Sequence, residues 1–488
     1  MTMAGPVHKL LAVLMLQIAG VAGEKPVLKI GGLIQNTGIG LRGKKAFDLV
    51  KNAINNANLS YTMETLWSDY DHGQSDEDIA GVVKMLWAET HVLVCPYSTG
   101  ASKRVIAAVP EGDTIPILVW GGATDSIFTE TCIGRKCYGG FTVASQYMAP
   151  SLKRVTEIAT TRPLKVSAIT NNNGFSKAVD AGGKAFIAAD GMMTLAGEYT
   201  LSVAKTSLEA EDVDEVKSMM TREQPDVVMI SGHPGDVEQV IDTVRSVHVP
   251  KAIIATNAFS NVDGNVVDYM HGVIMPEQWA EDPSMKDSIV HMTSADFTKA
   301  MESAGETASY HAASAGGLAL VLAYAMESRQ EGSSQAEPGQ ISQIMEIVKA
   351  AKLSFKTFYG EIAFNEDGSI DASSKPMYGK QAQGNPNGYQ IVAPTGPIMY
   401  PIPEAMPQSG PELTCGDIKE AYRMNKCCGM PSKVFSMSNR RLNALNQPES
   451  KDSLLSTIAK QLAHAKAQSP SEGKRLASKI KALVSRWE

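Results

Sequence analysis

The sequence predicts an α/β protein built of two Rossmann-like three-layer lobes with parallel-rich central sheets, followed by a small α-helical C-terminal module. Three observations predict it. Short β-type apolar runs alternate with amphipathic helical stretches. The same rhythm then occurs a second time. The chain has 488 residues, 43% of them apolar, enough for more than one core. Charge supports the division, because the net of −7 is uneven. Residues 430–488 carry eleven Lys and Arg against four Asp and Glu, a net of +7, so residues 1–429 carry −14. An acidic body thus precedes a basic tail. This composition excludes a disordered or collagen-like chain, and the mild acidity gives no electrostatic reason to expect nucleic acid as a partner.

The first element is an expected signal peptide, residues 1–23, with a positive start, an apolar run from Leu10 to Ala19 and small residues for cleavage. The run is about ten residues, where a membrane span needs about 20, and no Cys follows it to take a lipid. The expectation is a soluble exported chain without a lipid anchor, in a periplasm, an extracellular space or an organelle lumen. Residues 28–34 then read as a strand, and residues 44–57 place Ala46, Phe47, Val50, Ala53, Ile54 and Ala57 on one helical face. Strand 61–67 follows. Ser75 with Asp78 caps a helix whose Ile79, Val82, Val83 and Leu86 point inward, and strands 91–95 and 115–120 complete the run. The second run has strands 165–170, 194–200, 226–231 and 251–256, separated by helices 176–188, 207–222 and 236–247. After it come residues 272–275, helices 293–305, 308–329 and 341–352, and strands 360–365 and 389–393. Residues 312–326 are apolar but interrupted by Ser314 and Gly316-Gly317, and read as a core helix too short to span a bilayer.

Six cysteines in an exported chain raise the question of disulfides. Cys132 and Cys137 bracket a short loop that can close on itself, and this bridge is expected. Cys95 ends a buried-looking strand and reads as an inert core thiol. Cys415 and the Cys427-Cys428 pair flank a helical stretch, so their pairing is left open. The nine histidines show no metal-ligand spacing.

Gly38-Ile39-Gly40-Leu41-Arg42-Gly43 fits G-x-G-x-x-G between a strand and a helix, with Asp69 or Asp71 further on. The first glycine, however, follows the strand only after Gln35-Asn36-Thr37. A dinucleotide fingerprint needs its glycines in the tight turn itself. A glycine-rich loop that lets the backbone turn or approach a ligand is the plainer reading, and no cofactor is expected. No H-E-x-x-H, G-x-x-x-x-G-K-[ST] or G-x-S-x-G occurs, and no base and nucleophile pair is visible, so an enzyme is not expected. What recurs is small polar residues just after strand carboxyl ends: Ser98-Thr99-Gly100, Gly121 to Asp125, Asn171 to Phe175, Gly232-His233 and Asn257. Ligands of open α/β sheets bind at that edge. Hydroxyls, amides and backbone N–H groups suit reversible binding better than bond breaking.

From about residue 26 to residue 394 the sequence resembles the type 1 periplasmic binding proteins, especially those for leucine, isoleucine and valine and related amides. The residues that carry the resemblance are Leu28 to Gly31 with Thr37-Gly38, Val94 to Gly100, Ile117 to Thr124, Asp226 to Gly232 and Tyr359 to Gly368, in that order and spacing. The resemblance implies two lobes joined by a three-crossing hinge near Ser145, near residues 257–272 and near residues 354–361. Lobe 1 would hold residues 24–145 and 272–354, and lobe 2 residues 146–271 and 355–393. It also implies that the glycine motif is a ligand-side loop. Ser98 and Thr99 look like the groups that receive a ligand carboxylate or carbonyl. Gly122 and Thr124 fall where the family offers a carbonyl and a hydroxyl to the ligand's other end. Phe175 matches an aromatic wall, and His233 stands where amino-acid binders often have Tyr. Asn257 departs from the pattern, because branched-chain amino-acid binders place a carboxylate there for the ligand's ammonium and an amide cannot neutralise that charge. A neutral amide or urea-like ligand is therefore as credible as an amino acid, unless Asp125 substitutes.

The implied function is capture of a small polar ligand by clamshell closure, for transport or sensing, with a membrane transporter or a receptor as partner. The alternative is a non-catalytic, receptor-like scaffold that uses its surface or tail for protein or membrane contacts. The tail itself lies beyond the family pattern. A proline-rich linker, residues 394–411, leads to a Cys-containing basic helical module, residues 412–488. In its last stretch Ser469 to Glu472 form a capping box before Leu476, Ile480, Leu483, Val484 and Trp487 at helical spacing, ringed by Lys and Arg. Such a helix either presents a solvated basic face or docks on an acidic partner or an anionic membrane.

Overall fold

A computed structural model describes residues 25–396 except 113–114, 203–207, 259–269, 283, 328–337 and 384–388. The expected signal peptide, most of the linker, the basic module and Cys415, Cys427 and Cys428 lie outside the described residues.

Lobe 1 is built on β1 (Val27–Ile34), β2 (Thr62–Asp69), β3 (Val92–Val94), β4 (Ile117–Val119) and β5 (Cys137–Gly139), in the order β2-β1-β3-β4-β5 with every pair parallel. Helix α1 (Gly38–Asn56) follows β1, α2 (Asp76–Glu89) follows β2 and α3 (Thr99–Ala108) follows β3. The Ser75–Asp78 capping box forms in both directions, as the sequence predicts. The glycine motif does not form the expected loop. Gly38 to Gly43 are the first turns of α1, and the reason is steric. A Cβ on Gly40 would lie 2.7 Å from the Gln35 carbonyl oxygen, and one on Gly43 would lie 2.3 Å from the Trp120 ring. The glycines let the helix press onto the strand end and onto Trp120, so the motif serves packing.

Lobe 2 adds α4 (Ala149–Ile158), β6 (Leu164–Thr170), α5 (Gly174–Asp190), β7 (Met193–Thr200), α6 (Ala210–Glu223), β8 (Val227–Ser231), α7 (Pro234–Val247) and β9 (Ala252–Ala255). Its sheet runs β14-β13-β10-β9-β8-β6-β7, with β10 (Val273–Glu277), β13 (Tyr378–Ala382) and β14 (Tyr389–Ala393) on one side. Helices α8 (Ser294–Ser303), α9 (Tyr310–Glu327) and α10 (Ile341–Ala350), with the hairpin β11 (Phe355–Thr357) and β12 (Gly360–Ile362), return to lobe 1.

Two expected boundaries move. Residues 272–275 were expected in lobe 1, yet β10 pairs parallel with β9 and antiparallel with β13, inside the lobe 2 sheet. Residues 355–362 were expected in lobe 2, yet Phe355, Phe358, Tyr359 and Ile362 are buried in the lobe 1 core. The crossings therefore follow Gly139, β10 and Ile370. Helix α9 explains the second shift, because it is hydrophobic all round and fifteen of its residues are buried. Its Gly316 and Gly317 leave room for Phe358 and Tyr359, which a Cβ would approach within 2.9 Å and 3.1 Å. Among the described residues no helix is long and apolar enough to cross a membrane.

Cys132 and Cys137 form a disulfide with Cα atoms 5.9 Å apart. Cys95 is a free buried thiol whose pKa burial pushes up. Because the bridge closes a loop of only five residues' separation, its removal should cost about 2 kcal/mol. Urea denaturation of Cys132→Ala/Cys137→Ala measures this, and an unchanged midpoint would refute it.

Candidate functional site

The residues singled out in the sequence all lie at or just past strand carboxyl ends. On lobe 1, Ser98 adopts φ +85° and caps α3, its hydroxyl accepting from the Ala101 N–H at 3.4 Å and its N–H donating to the Gly121 carbonyl at 3.2 Å. A serine at positive φ is an uncommon conformation, and such strain concentrates at functional sites. Thr99 begins the helix, where the first N–H groups have no intrahelical acceptor. Gly122 is buried, and a Cβ there would meet Ile127 at 2.6 Å. Thr124 is 3% exposed, and its hydroxyl oxygen has no hydrogen-bond partner. Asp125 is committed to the hinge, its carboxylate accepting from the Ser145 hydroxyl at 2.6 Å and the Ser145 N–H at 3.2 Å.

On lobe 2, Phe175 stands at the start of α5 and stacks on His233 with ring centroids 5.9 Å apart. His233 precedes Pro234 at the start of α7. One side of it meets solvent, but its protein surroundings desolvate the ring and lower its pKa. Asn257 adopts φ +55° and donates to the Gly232 carbonyl at 2.8 Å, while the Thr256 hydroxyl bonds both polar groups of Gly232. The structure thus joins Ser98 to Gly121 and Phe175 to His233.

Sequence reasoning missed the rings that line the seam. Tyr97 and Tyr310 pack against the cores of both lobes. The Tyr97 hydroxyl lies 3.2 Å from His311 Nε2, and the His311 ring stacks on Tyr310 at 3.8 Å. Phe141 meets Tyr310 at 5.4 Å, and Tyr147 meets Phe175 at 5.5 Å. These rings stand singly along the chain, and only the Tyr310-His311 pair at the head of an apolar helix gives a local signal. Burial, together with the nearby Arg42 charge, lowers the His311 pKa to about 3, so the ring is neutral at physiological pH.

Beneath the rings a buried network ties the three crossings. The Thr142 N–H donates to Gln278 Oε1 at 2.8 Å, the Thr142 hydroxyl donates to the Lys375 carbonyl at 3.1 Å, and the Lys375 ammonium donates to the Gln278 carbonyl while lying 3.7 Å from the centre of the Tyr359 ring. Gln278 also donates to the Tyr147 hydroxyl. Thr142, Gln278 and Lys375 are each at most 2% exposed. Among the described residues no group of three or more His, Cys, Asp or Glu could hold a metal ion.

Comparison with known proteins gives the following. A family model described as "Periplasmic binding protein" matches residues 27–384. Among solved structures, the branched-chain amino acid transporter substrate-binding protein LivJ of Streptococcus pneumoniae, in complex with isoleucine, is 16% identical with a TM-score of 0.56, covering 75% of this chain and 100% of that one. A solute-binding protein of an ABC transporter from R. palustris, in complex with benzoate, is 13% identical with a TM-score of 0.56, covering 77% and 98%. A leucine-binding protein, LivK, of Thermotoga maritima is 12% identical with a TM-score of 0.56, covering 75% and 98%. These likenesses show the fold. Comparison with curated proteins finds no match.

Proposed function

The chain belongs to the periplasmic binding protein family, and from that premise we propose that it captures a small polar ligand between its lobes by clamshell closure, for delivery to a membrane transporter or for sensing through a receptor. One observation carries this reading. The Thr124 hydroxyl is buried at the strand-end edge of lobe 1 without a partner. A buried unpaired hydroxyl costs about 1–3 kcal/mol, and a polar group of a bound ligand would remove that penalty.

In this reading Ser98 and Thr99 present the α3 N-terminus to a carboxylate or carbonyl of the ligand, and Gly122 and Thr124 meet its other polar end. Phe175 and His233 form a stacked wall on lobe 2. Asn257 brings an amide and no charge. Asp125, held by Ser145, links the Thr124 loop to the first crossing and so couples occupancy to hinge position. Closure excludes water and strengthens each hydrogen bond, and a ligand shifts the equilibrium only by its preference for the closed form. Two neighbouring folds are described with isoleucine and with benzoate, which supports a small organic solute. Export to an oxidising compartment fits the Cys132–Cys137 bridge.

Thermal melting of the purified chain against amino acids, amides, polyamines and short aromatics tests the reading. The right solute should raise Tm, and Ser98→Ala combined with Thr124→Ala should abolish that rise, measured against the variant's own unliganded Tm, which loss of the Ser98 cap lowers by a few degrees. No response across the panel would overturn it in favour of the scaffold reading.

A further inference from the structure

Asn58-Leu59-Ser60 carries a chemistry that the ligand site does not use, and no other Asn of the chain is followed two positions later by Ser or Thr. The triplet lies in the connection between α1, which ends at Asn56, and β2, which begins at Thr62. Asn58 adopts φ +55°, a left-handed conformation that asparagine tolerates better than most residues, and so turns the chain at the helix end. Leu59 packs on the lobe 1 core, while Asn58 and Ser60 on either side of it are exposed. The Asn58 Oδ1 accepts from Lys25 Nζ at 2.9 Å, and among the described residues its Nδ2 makes no hydrogen bond. An exposed turn that presents an amide nitrogen, with a hydroxyl two residues on and no proline between, is the form in which an N-linked glycan is attached.

Topology gives the position a consequence. Helix α1 starts at the carboxyl end of β1 and runs back along the sheet, so the triplet sits at the amino-terminal edge of lobe 1, opposite the edge that carries Ser98 and Thr124. The strand it introduces, β2, is the end strand of its sheet, and among the described residues it pairs only with β1. Along it Glu64, Leu66 and Asp69 are exposed, Leu66 to 39%. Leu66 pairs with Gly31, and a Cβ on Gly31 would meet Leu86 of α2 at 3.2 Å, so Leu66 shares its face with α2, where Met85 is 46% exposed. An unpaired edge strand with apolar groups beside it is a template for pairing with another chain unless something covers it.

We propose that Asn58 is the acceptor of an N-linked glycan that stands at the entry to the open β2 edge and shields it, while leaving the ligand-side edge clear. In the transfer the Asn58 Nδ2 bonds to C1 of an oligosaccharide carried on a lipid diphosphate. The bond from C1 to the diphosphate oxygen breaks, the lipid diphosphate leaves with the bonding electron pair, and the amide gives up one proton. The expected export segment, residues 1–23, and the Cys132–Cys137 bridge fit an oxidising secretory lumen in which such a donor is present.

The test takes the full chain purified from the organism that makes it and the full chain secreted by cultured eukaryotic cells. Intact mass is measured before and after the amidase that releases Asn-linked glycans. Both chains should exceed the polypeptide mass and lose the excess on treatment, with Asn58 converted to aspartate in the peptide map. Asn58→Asp and Ser60→Ala, secreted from the same cells, should lack the excess, and Ser60→Thr should keep it. In light scattering the deglycosylated chain should self-associate at lower concentration than the glycosylated one. A native chain without a glycan at Asn58 would overturn the assignment, even where cultured cells attach one. A glycosylated chain that stays equally monodisperse after release would overturn the shielding role and leave the acceptor standing. These two decisive comparisons use the unaltered sequence, so they hold if a variant fails to fold, and neither bears on ligand binding.

Discussion

Between about pH 7 and about pH 10 the native chain is expected to gain stability relative to Lys375→Met, by up to about 1.4 kcal/mol per pH unit. The cause is the burial of one ammonium. Lys375 is 2% exposed at the third crossing, and burial lowers its pKa from 10.5 to about 7 against the opposing attraction of Glu277. Below pH 7 the folded and unfolded chains both carry this proton, and the folded chain bears the full desolvation cost. Above it the folded chain has released a proton that the unfolded chain keeps until about pH 10.5, so stability rises with pH across that window. Glu277 shifts upward through burial and acts with the opposite sign, favouring the folded state at lower pH. Including Glu277→Gln separates the two. Urea denaturation at several pH values, native against variant, gives the difference directly. A difference independent of pH would show that Lys375 keeps an ordinary pKa. Because the same ammonium bonds Gln278 and Gln278 holds Thr142, the variant should also alter the pH dependence of ligand affinity.

Gly182→Ala is expected to destabilise the chain by about 3 kcal/mol, at the upper end of ordinary overpacking. A Cβ at this position in α5 would lie 2.0 Å from the Ser145 carbonyl oxygen and 2.5 Å from its carbonyl carbon. Backbone cannot rotate away as a side chain can. Alanine's better helix propensity returns only about 1 kcal/mol, so the clash decides the sign. Gly174, first in the same helix, is the control, since a Cβ there meets nothing within 4 Å. Gly174→Ala should be neutral or slightly stabilising. The first crossing must yield in Gly182→Ala, and Ser145 is bonded to Asp125 beside Thr124, so ligand affinity should fall with stability. A Gly182→Ala protein as stable as Gly174→Ala would refute the close approach of Gly182 to the Ser145 backbone.

Much of the architecture is legible in the chain because its signals are local. Alternation of strand and helix, the Ser75–Asp78 box and the apolar run ending at Met326 each depend on residues a few positions apart. The start of α1 was not legible. Gly38, Gly40 and Gly43 lower helix propensity, and what outweighs it is contact with Gln35 and Trp120, the second of which is far away in sequence. The lobe membership of β10 and of the β11–β12 hairpin was likewise hidden, because short strands carry too little pattern to name the sheet they join. Lys375, set between Ser374 and Pro376, reads as a loop lysine, and only three crossings brought side by side make it a buried hinge group.

By itself the sequence determined two runs of alternating strands and helices and the family, and it singled out residues that follow the strands, Ser98, Thr99, Gly122, Thr124, Asp125, Phe175, His233 and Asn257, while helices α3 and α4 and the short strands β5, β11 and β13 were not read from it. These follow from periodicity and from turn chemistry, which act over a few residues. The tertiary structure alone decided that Asp125 is committed to Ser145, that Thr124 is left without a partner and that Tyr97 and Tyr310 touch both lobes. Hydrogen bonds, stacking and charge act over a few ångströms of space, and strand order sets which distant parts of the chain come that close.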